Sequence, residues 1–294
     1  MVQATQLTDP VCFHGEGPVW FGGAVGLRFV DMLAGDVLTL DPAGRLLREH
    51  VGEIAAVVRP RDGGATPGAA VVGVERGFAL ADGDPGDPAA LGALHRLPQV
   101  FDDPSIRMNE GNADPDGRFW CGSMAYDARP DRGAVYRLDP DRSVHPGFGP
   151  VTISNGLGFT RDGTRAYYID TPTLRVDLFD YDLAAGLSNR RPWLTFDGTT
   201  GKPDGLCVDS ADGVWVAMNA GGTVVHHTAD ARQDAVVEVG VAGITAVTLG
   251  GADLRTLYIT TSRENRGDEV EAAAGAVFTT PADVAGVPPL RFGG

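Results

Sequence analysis

The chain has 294 residues, of which 43% are apolar, and contains 41 glycines and 20 prolines. Its formal net charge of −15 disfavours nucleic acid and anionic membranes as partners. No stretch approaches the roughly 20 consecutive apolar residues that span a bilayer, and the mostly polar residues 1–10 do not resemble a secretory signal. We therefore expect a cytoplasmic protein with no membrane or nucleic-acid partner. The abundance of glycine and proline favours short strands joined by tight turns over long helices.

A turn followed by a strand recurs along the chain at intervals of about 40 to 50 residues. In most copies an Asp-Gly or Gly-Gly pair precedes aromatic and β-branched residues, which is the pattern of a hairpin whose glycine takes a positive φ. The copies lie at 21–30, 116–120, 162–168, 212–216 and, more weakly, 253–259. This period matches one four-stranded propeller blade, and the chain length accommodates about six blades.

The rest of the chain agrees with one all-β domain. Residues 176–181 and 223–228 alternate as strands do, whereas 60–68 and 82–88 have the composition of hairpin loops. An eight-stranded barrel or a pair of sandwiches would also be rich in turns, but neither predicts a unit that recurs at blade length. The sequence thus predicts a single six-bladed β-propeller domain over residues 1–294.

Four polar segments place acidic or amide side chains among glycines next to apolar strands: 14–20, 107–112, 154–159 and 202–206. Equivalent positions of successive blades surround the centre of a propeller, so we expect these segments to converge there. Glu16 and Asp204 supply carboxylates and Asn155 an amide oxygen, ligands that suit Ca²⁺, Mg²⁺ or Mn²⁺. The alternative is that Asn155-Gly156 and Asp204-Gly205 are ordinary turn pairs and that Glu16 caps backbone amides.

These segments resemble the senescence marker protein, gluconolactonase and regucalcin family of lactonases. The order and spacing of the matches, from residue 15 to about residue 265, make the resemblance specific. The matching segments are 15–20, 107–111, 114–124, 153–157, 168–171, 179–182, 202–209, 213–217 and 249–251.

The resemblance implies a six-bladed propeller with a central site for one divalent metal ion: Ca²⁺, Mg²⁺, Mn²⁺ or Zn²⁺. Family metal ligands correspond to Glu16, Asn155 and Asp204. The activity implied is the opening of a small-molecule sugar lactone to its hydroxy acid, with the metal polarising the carbonyl. Asp204 is the predicted general base.

The resemblance also implies substrate contacts. Arg107 and Asn109 match positions that contact sugar hydroxyls, and Asp127 stands where relatives often carry the longer glutamate. The alternative for Arg107 is a salt bridge with a neighbouring acid such as Glu110 or Asp127. The region 58–92 is less typical of the family, so loops there are expected to be particular to this chain.

Other nucleophiles and ligands are less favoured. His226 and His227 are adjacent on a predicted strand and therefore point to opposite faces, while His14 lies near Glu16. Ser123 lacks the Gly-x-Ser-x-Gly context of a serine hydrolase. The three cysteines are odd in number, lack metal-site spacing and are expected to pack as small apolar side chains: Cys12, Cys121 and Cys207.

Two rival functions remain open at this stage. The same propeller and metal could act on other activated esters or phosphotriesters, or in a biosynthetic pathway, because fold and ligands do not determine the substrate. The chain could instead be a non-catalytic, calcium-binding regulatory propeller. Arg107 and Asn109 argue against the second rival, because a purely structural metal does not need them.

Overall fold

The structure is a computed structural model that describes residues 2–267 and 270–294, so three residues of the predicted domain 1–294 lie outside the described residues: Met1, Asp268 and Glu269. The regular secondary structure of the described part is almost entirely β, and it includes short 3-10 turns at Met32–Ala34 and Thr171–Thr173. Its strands form six sheets, five of four strands and one of five. No helix in this part of the chain is long and apolar enough to cross a membrane.

The strands follow one another as antiparallel meanders, one sheet after the next along the chain. Two short strands come first: β1 (Val2–Gln3) and β2 (Thr5–Gln6). The first sheet contains β3 (Gly15–Gly22), β4 (Gly26–Asp31), β5 (Asp36–Leu40) and β6 (Leu46–His50). The second contains β7 (Ala55–Pro60), β8 (Ala70–Val74), β9 (Gly77–Ala81) and β10 (Leu94–Arg96). The third contains β11 (Ile106–Ala113), β12 (Phe119–Ala125), β13 (Gly133–Leu138) and β14 (Val144–Val151).

The remaining sheets have the same plan. The fourth contains β15 (Ser154–Phe159), β16 (Arg165–Asp170), β17 (Arg175–Asp182) and β18 (Gly186–Thr195). The fifth contains β19 (Lys202–Val208), β20 (Val214–Asn219), β21 (Thr223–His227) and β22 (Gln233–Glu238). The sixth contains β23 (Ile244–Gly250), β24 (Thr256–Thr261) and β25 (Phe278–Pro281).

The N-terminal strands complete the last two sheets. β2 pairs antiparallel with β25 and becomes the fourth strand of the sixth sheet, while β1 runs parallel to β22. The six sheets are the blades of a six-bladed β-propeller, which confirms the predicted fold class. The predicted repeat is the connection between the first and second strand of a blade.

The turn chemistry of that repeat is not uniform. Gly117 and Gly163 have φ of 78° and 68°, as predicted. In the copy at 212–216 the prediction was wrong, because Asp212, with φ of 59°, takes the left-handed position one residue earlier. Gly213 is required for a different reason: a Cβ there would lie 2.5 Å from Nε2 of His226.

The chain divides into two compact units, each with its own apolar core. Unit A consists of residues 1–18 and 155–288, and unit B of residues 19–154 and 289–294. Unit B buries one cluster that includes the edge-to-face pair Phe78 and Phe119 and, from the C-terminal segment, Phe292. Unit A buries two clusters, one on β20 to β25 and one on β16 to β21. The single domain therefore stays a prediction.

The two predicted hairpin loops of the atypical region are confirmed, since 60–68 connects β7 to β8 and 82–88 lies between β9 and β10. Arg28 is fully buried in unit B and donates hydrogen bonds to the backbone carbonyls of Gly68 and Ala89, next to the two loops. Burial lowers the pKa of Arg28 to about 10, so the side chain remains charged at neutral pH. The three cysteines are free thiols, as expected.

Candidate active site

The predicted metal ligands lie on the first strands of blades that approach one another closely at glycines. A Cβ on Gly156 would lie 3.0 Å from the carbonyl oxygen of Asp204, and one on Gly205 would lie 3.0 Å from that of Thr245. Thr245 in turn donates a 2.5 Å hydrogen bond from Oγ1 to the carbonyl of Gly15. Glycine permits this spacing because it has no Cβ. Within unit A, residues 155–159 of β15, strands β19 and β23, and residues 15–18 at the start of β3 are thereby neighbours.

Asn155 is buried in β15, with 4% of its surface exposed. Its Nδ2 donates a 2.8 Å hydrogen bond to Oγ1 of Thr171, which itself donates a 2.8 Å bond to the carbonyl of Pro203. Thr171 therefore links Asn155 to the residue before Asp204. A side-chain amide binds cations through its oxygen, so Oδ1 is the atom through which Asn155 would bind a cation, and the bond to Thr171 orients it.

Asp204 is buried in β19 at an irregularity of the strand. The pairing of β19 with β20 shifts register between Pro203 and Leu206, and such bulges redirect side chains. Oδ2 of Asp204 accepts a 2.8 Å hydrogen bond from Nδ2 of Asn219, and Oδ1 of Asn219 accepts one of 2.8 Å from Arg266. A chain of polar contacts thus orients the Asp204 carboxylate.

Glu16 is buried near the start of β3, and its Oε2 accepts a hydrogen bond from its neighbour Gly17. Its Oε1 lies 3.8 Å from Nε2 of His14. The His14 ring is buried as well, and its Nδ1 lies 2.7 Å from Oγ of Ser262 and 3.3 Å from Oε2 of Glu264. His14 therefore belongs to the surroundings of Glu16, as its position in the sequence suggested.

The alternative that Asn155 and Asp204 are turn residues is wrong, because both lie inside buried strands. The alternative for Glu16 is partly right, since it does accept a bond from a backbone amide. Buried carboxylates and an amide oxygen form a donor set that fits a hard divalent cation. In the described part of the chain, no group of three or more His, Cys, Asp or Glu side chains could hold a metal ion. The predicted set is of a different kind, because its third member is an amide beside two carboxylates.

Two predicted substrate residues are joined in unit B. Nη1 of Arg107 lies 2.5 Å from Oδ1 of Asn109, and Nδ2 of Asn109 donates a 2.8 Å hydrogen bond to the carbonyl of Ser154. Both residues are buried on β11, at a register shift between Met108 and Gly111. The guanidinium also lies 5.9 Å from the ring centroid of Tyr126.

The acids proposed as partners for Arg107 are held by other arginines. Glu110 forms a buried 2.7 Å ion pair with Arg59. Burial raises the pKa of Glu110, although the ion pair with Arg59 acts in the opposite direction. Asp127 lies in the exposed turn after β12, where it forms a 2.6 Å ion pair with Arg129. The structure thus brings Arg107 and Asn109 together and leaves Asp127 on the surface. Its role as a substrate contact stays a prediction.

The two adjacent histidines and Ser123, which the sequence analysis did not favour as ligands or nucleophiles, make hydrogen bonds or ring contacts within the fold. His226 lies between Asp209 and Asp234, at 2.9 Å and 2.5 Å, whereas His227 packs on the aromatic rings of Trp193 and Phe196. The two histidines therefore face opposite sides of β21, as predicted. In unit B, Oγ of Ser123 donates to the carbonyl of Ala134 and accepts from its amide, which is an interstrand contact in a buried position.

Sequence reasoning missed Thr171, Asn219 and Arg266 as partners of the predicted ligands. Thr171 begins the 3-10 turn that follows β16. Asn219 is the last residue of β20, and strand pairing places it opposite Lys202, two residues before Asp204. Of the three, Thr171 carried a signal, since it ends the matching segment 168–171, and the neighbouring Lys202 carried another as the one lysine among 294 residues.

Comparison with known proteins identifies the family of the chain. A family model described as the SMP-30/gluconolactonase/LRE-like region matches residues 14–263. The chain belongs to this family.

Relatives in the family match over nearly their full length. A pentonolactonase of Haloferax volcanii is 34% identical, over 98% of this chain and 97% of its own. A regucalcin of Danio rerio is 33% identical, over 95% of each chain. The solved structure of a luciferin-regenerating enzyme superposes with a TM-score of 0.87 at 28% identity, covering 98% of this chain and 100% of that chain.

Proposed function

We propose that this protein hydrolyses sugar-type lactones to the corresponding hydroxy acids, with Asp204 as the general base. The observation that supports this most directly is the buried set of Glu16, Asn155 and Asp204 on neighbouring first strands of blades, in a chain of this family. Family membership and the pentonolactonase relative make the chain a carboxylic ester hydrolase of the lactonase type.

The same three residues are the proposed metal ligands. A divalent cation held there would supply Lewis acidity toward the lactone carbonyl. The two carboxylates provide the negative charge and Asn155 a neutral oxygen, which is the oxygen-rich set that Ca²⁺, Mg²⁺ and Mn²⁺ prefer and that Zn²⁺ also accepts. The hydrogen bond from Nδ2 to Thr171 orients the Asn155 amide, whose oxygen is the proposed ligand.

Asp204 moves the proton in the proposed reaction. Its carboxylate accepts a proton from the attacking water as that oxygen bonds to the lactone carbonyl carbon. The ring carbon–oxygen bond then breaks, and the proton passes to the departing alkoxide, which yields the hydroxy acid. Asn219 holds one carboxylate oxygen and so maintains the orientation of the base. A positioned general base contributes about 10² to 10⁴ in rate.

Arg107 and Asn109 are the proposed contacts to the sugar hydroxyls. Their mutual hydrogen bond joins Nη1 of Arg107 to Oδ1 of Asn109, and a guanidinium presents its donors as a planar fork that suits sugar oxygens. The two carboxylates considered as its partners, on Glu110 and Asp127, are engaged by Arg59 and Arg129, which favours the substrate role over the salt-bridge alternative. Free thiols agree with a reducing cytoplasm, which is the location we propose.

The test is a substrate panel with the protein as purified and after treatment with a chelator. We expect turnover of five- and six-membered aldonolactones, loss of turnover on metal removal, and recovery on adding one divalent cation. Asp204→Asn should lower kcat by about 10² or more, whereas Asp230→Asn, the same change in an exposed turn of unit A, should have no effect.

The rival functions give different results in this panel. Turnover of aryl esters or phosphotriesters with none of any lactone would assign the site to other activated esters. A bound metal with no turnover of any substrate would favour the calcium-binding regulatory propeller. Full activity of Asp204→Asn would refute the general base.

A further inference from the structure

A pocket of about 210 Å³ in unit A lies beside the proposed ligands. Asn219, which lines it, bonds to Asp204, and His14, which also lines it, is 3.8 Å from Glu16. The side chains that line the pocket and matter here are His14, Lys202, Asn219, Ser262, Glu264 and Arg266. A substrate whose reacting ring lay at Asp204 and Glu16 would therefore extend into this pocket.

The pocket is basic in a strongly acidic protein. Lys202, the one lysine of the chain, and Arg266 both line it, although the formal net charge is −15. In the part of the chain that the structure describes, neither cation has a carboxylate within 4 Å. The one acid in the lining, Glu264, lies 3.3 Å from His14.

Arg266 lines the pocket, and its donors are only partly satisfied. Its Nη2 donates to Asn219, but its Nε is buried and, among the described residues, has no hydrogen-bond partner. A guanidinium presents its donors as a planar fork that matches an oxyanion. The guanidinium also lies over Gly243, where a Cβ would be 3.1 Å from Nε, so the glycine leaves room for it.

We propose that this pocket binds an oxyanion group of the substrate, so that the natural substrate is a sugar lactone carrying a carboxylate, phosphate or sulfonate away from its ring carbonyl. This rests on the proposed lactonase function. Lys202 contributes a mobile positive charge at the exposed edge and Arg266 the directional hydrogen bonds. The long-range field of the protein repels such a substrate, so its selection depends on local positive charges at the pocket.

The first test compares two lactones that differ only at the terminal carbon, one neutral and one bearing an oxyanion. We expect the wild-type protein to have the higher kcat/KM on the anionic lactone. Lys202→Gln should reduce that value about tenfold, through KM, and leave the neutral lactone within about twofold. Arg161→Gln, an exposed arginine beyond the far end of β15, is the matched control and should change neither.

Arg266→Gln separates charge recognition from the positioning of Asp204. Because Arg266 also holds Asn219, this variant should lower kcat on both lactones and lower kcat/KM for the anionic one by about a further tenfold. Arg266→Lys should recover part of the anionic preference. Equal losses on both lactones, or a wild-type preference for the neutral one, would overturn the proposal while lactonase activity still stood.

A second test does not depend on turnover. Since Lys202 is the one lysine, its acylation by an amine-reactive ester is followed specifically by mass spectrometry. Sulfate should slow this acylation several-fold relative to chloride at equal ionic strength, and the protection should be lost in Arg266→Gln. Unchanged acylation would refute an oxyanion site, even in a protein that hydrolyses no lactone. Protection by sulfate without discrimination between the two lactones would mean that the pocket holds a free anion and would overturn the substrate role.

Discussion

The hydroxyl of Thr171 links two proposed metal ligands, so its removal tests the proposed metal site directly. Thr171→Val keeps the shape of the side chain and deletes Oγ1, which donates to the carbonyl of Pro203 and accepts from Nδ2 of Asn155. Asn155 then loses the contact that orients its amide. If Asn155 binds the metal, affinity should fall although no proposed ligand has been changed.

The magnitude follows from the two hydrogen bonds. Each of the buried partners, the carbonyl of Pro203 and the amide of Asn155, loses a bond of 2.8 Å, and a buried polar group deprived of its partner costs about 1 to 3 kcal/mol. The free energy of unfolding should therefore fall by about 3 kcal/mol. Loss of a residue that orients a ligand weakens metal binding by about 10- to 100-fold.

The assay is isothermal titration calorimetry of the chelator-treated protein with Ca²⁺ and then Mn²⁺, together with urea unfolding of the metal-free protein. Thr173→Val is the matched control, because Thr173 lies in the same 3-10 turn and its Oγ1 bonds to the carbonyl of Asp170. The control should lose about 1 kcal/mol of stability and bind metal as the wild type does.

Two results would refute the reasoning. If Thr171→Val is destabilised but binds metal with wild-type affinity, Asn155 is not a ligand that Thr171 orients. If Thr173→Val loses metal affinity as strongly as Thr171→Val, the effect comes from loosening the turn rather than from the contact with Asn155.

The remaining predictions concern stability, pH and substrate binding. Phe292→Ala should lower the free energy of unfolding by about 3 to 5 kcal/mol in urea titrations, because this ring is fully buried in the core of unit B. Burial disfavours the charged form of His226, but its hydrogen bonds with Asp209 and Asp234 outweigh that effect and raise its pKa above the ordinary 6.5. Its contribution to stability is therefore complete below about pH 6.5 and is lost as pH rises through the raised pKa, so wild type should lose more stability over that range than His226→Gln. Arg107→Lys should raise KM for lactones about tenfold with a smaller change in kcat, because a bidentate contact is lost.

Each of these predictions has a result that would contradict it. Phe13→Ala removes a half-exposed ring and should change stability by less than about 0.5 kcal/mol; an equal loss in both variants would contradict the assignment of Phe292 to the core. Parallel pH–stability profiles for wild type and His226→Gln would show that the two aspartates do not hold a charged imidazole. An unchanged KM in Arg107→Lys would leave Arg107 a structural residue.

Much of the fold was predictable from the local sequence. Turn pairs such as Asp116-Gly117 and Asp162-Gly163 favour hairpins locally, since the backbone conformation that the turn requires is available mainly to glycine. Their recurrence at blade length therefore predicted the number and type of the blades. At 212–213 the left-handed residue is Asp212, and Gly213 meets a tertiary requirement instead, because a Cβ there would clash with His226.

The proposed ligands were named from the sequence through their resemblance to a family, but their contacts were not. Asn155-Gly156 and Asp204-Gly205 look like turn pairs in isolation, and only the packing of β15, β19 and β23 shows that the glycines serve close approach between strands. The same limit applies to Arg107, whose candidate partners in the sequence are bound by other arginines in the structure.

By itself, the sequence determined the all-β class, the blade repeat and the identity of the side chains that can bind a hard cation, because these depend on local backbone preferences and on side-chain chemistry. The tertiary structure decided which groups touch those side chains: Thr171 at Asn155, Asn219 at Asp204, and a basic pocket formed by Lys202 and Arg266. The physical reason is that side-chain hydrogen bonds and charge environments form between strands distant in sequence. A local pattern does not encode which distant strands become neighbours.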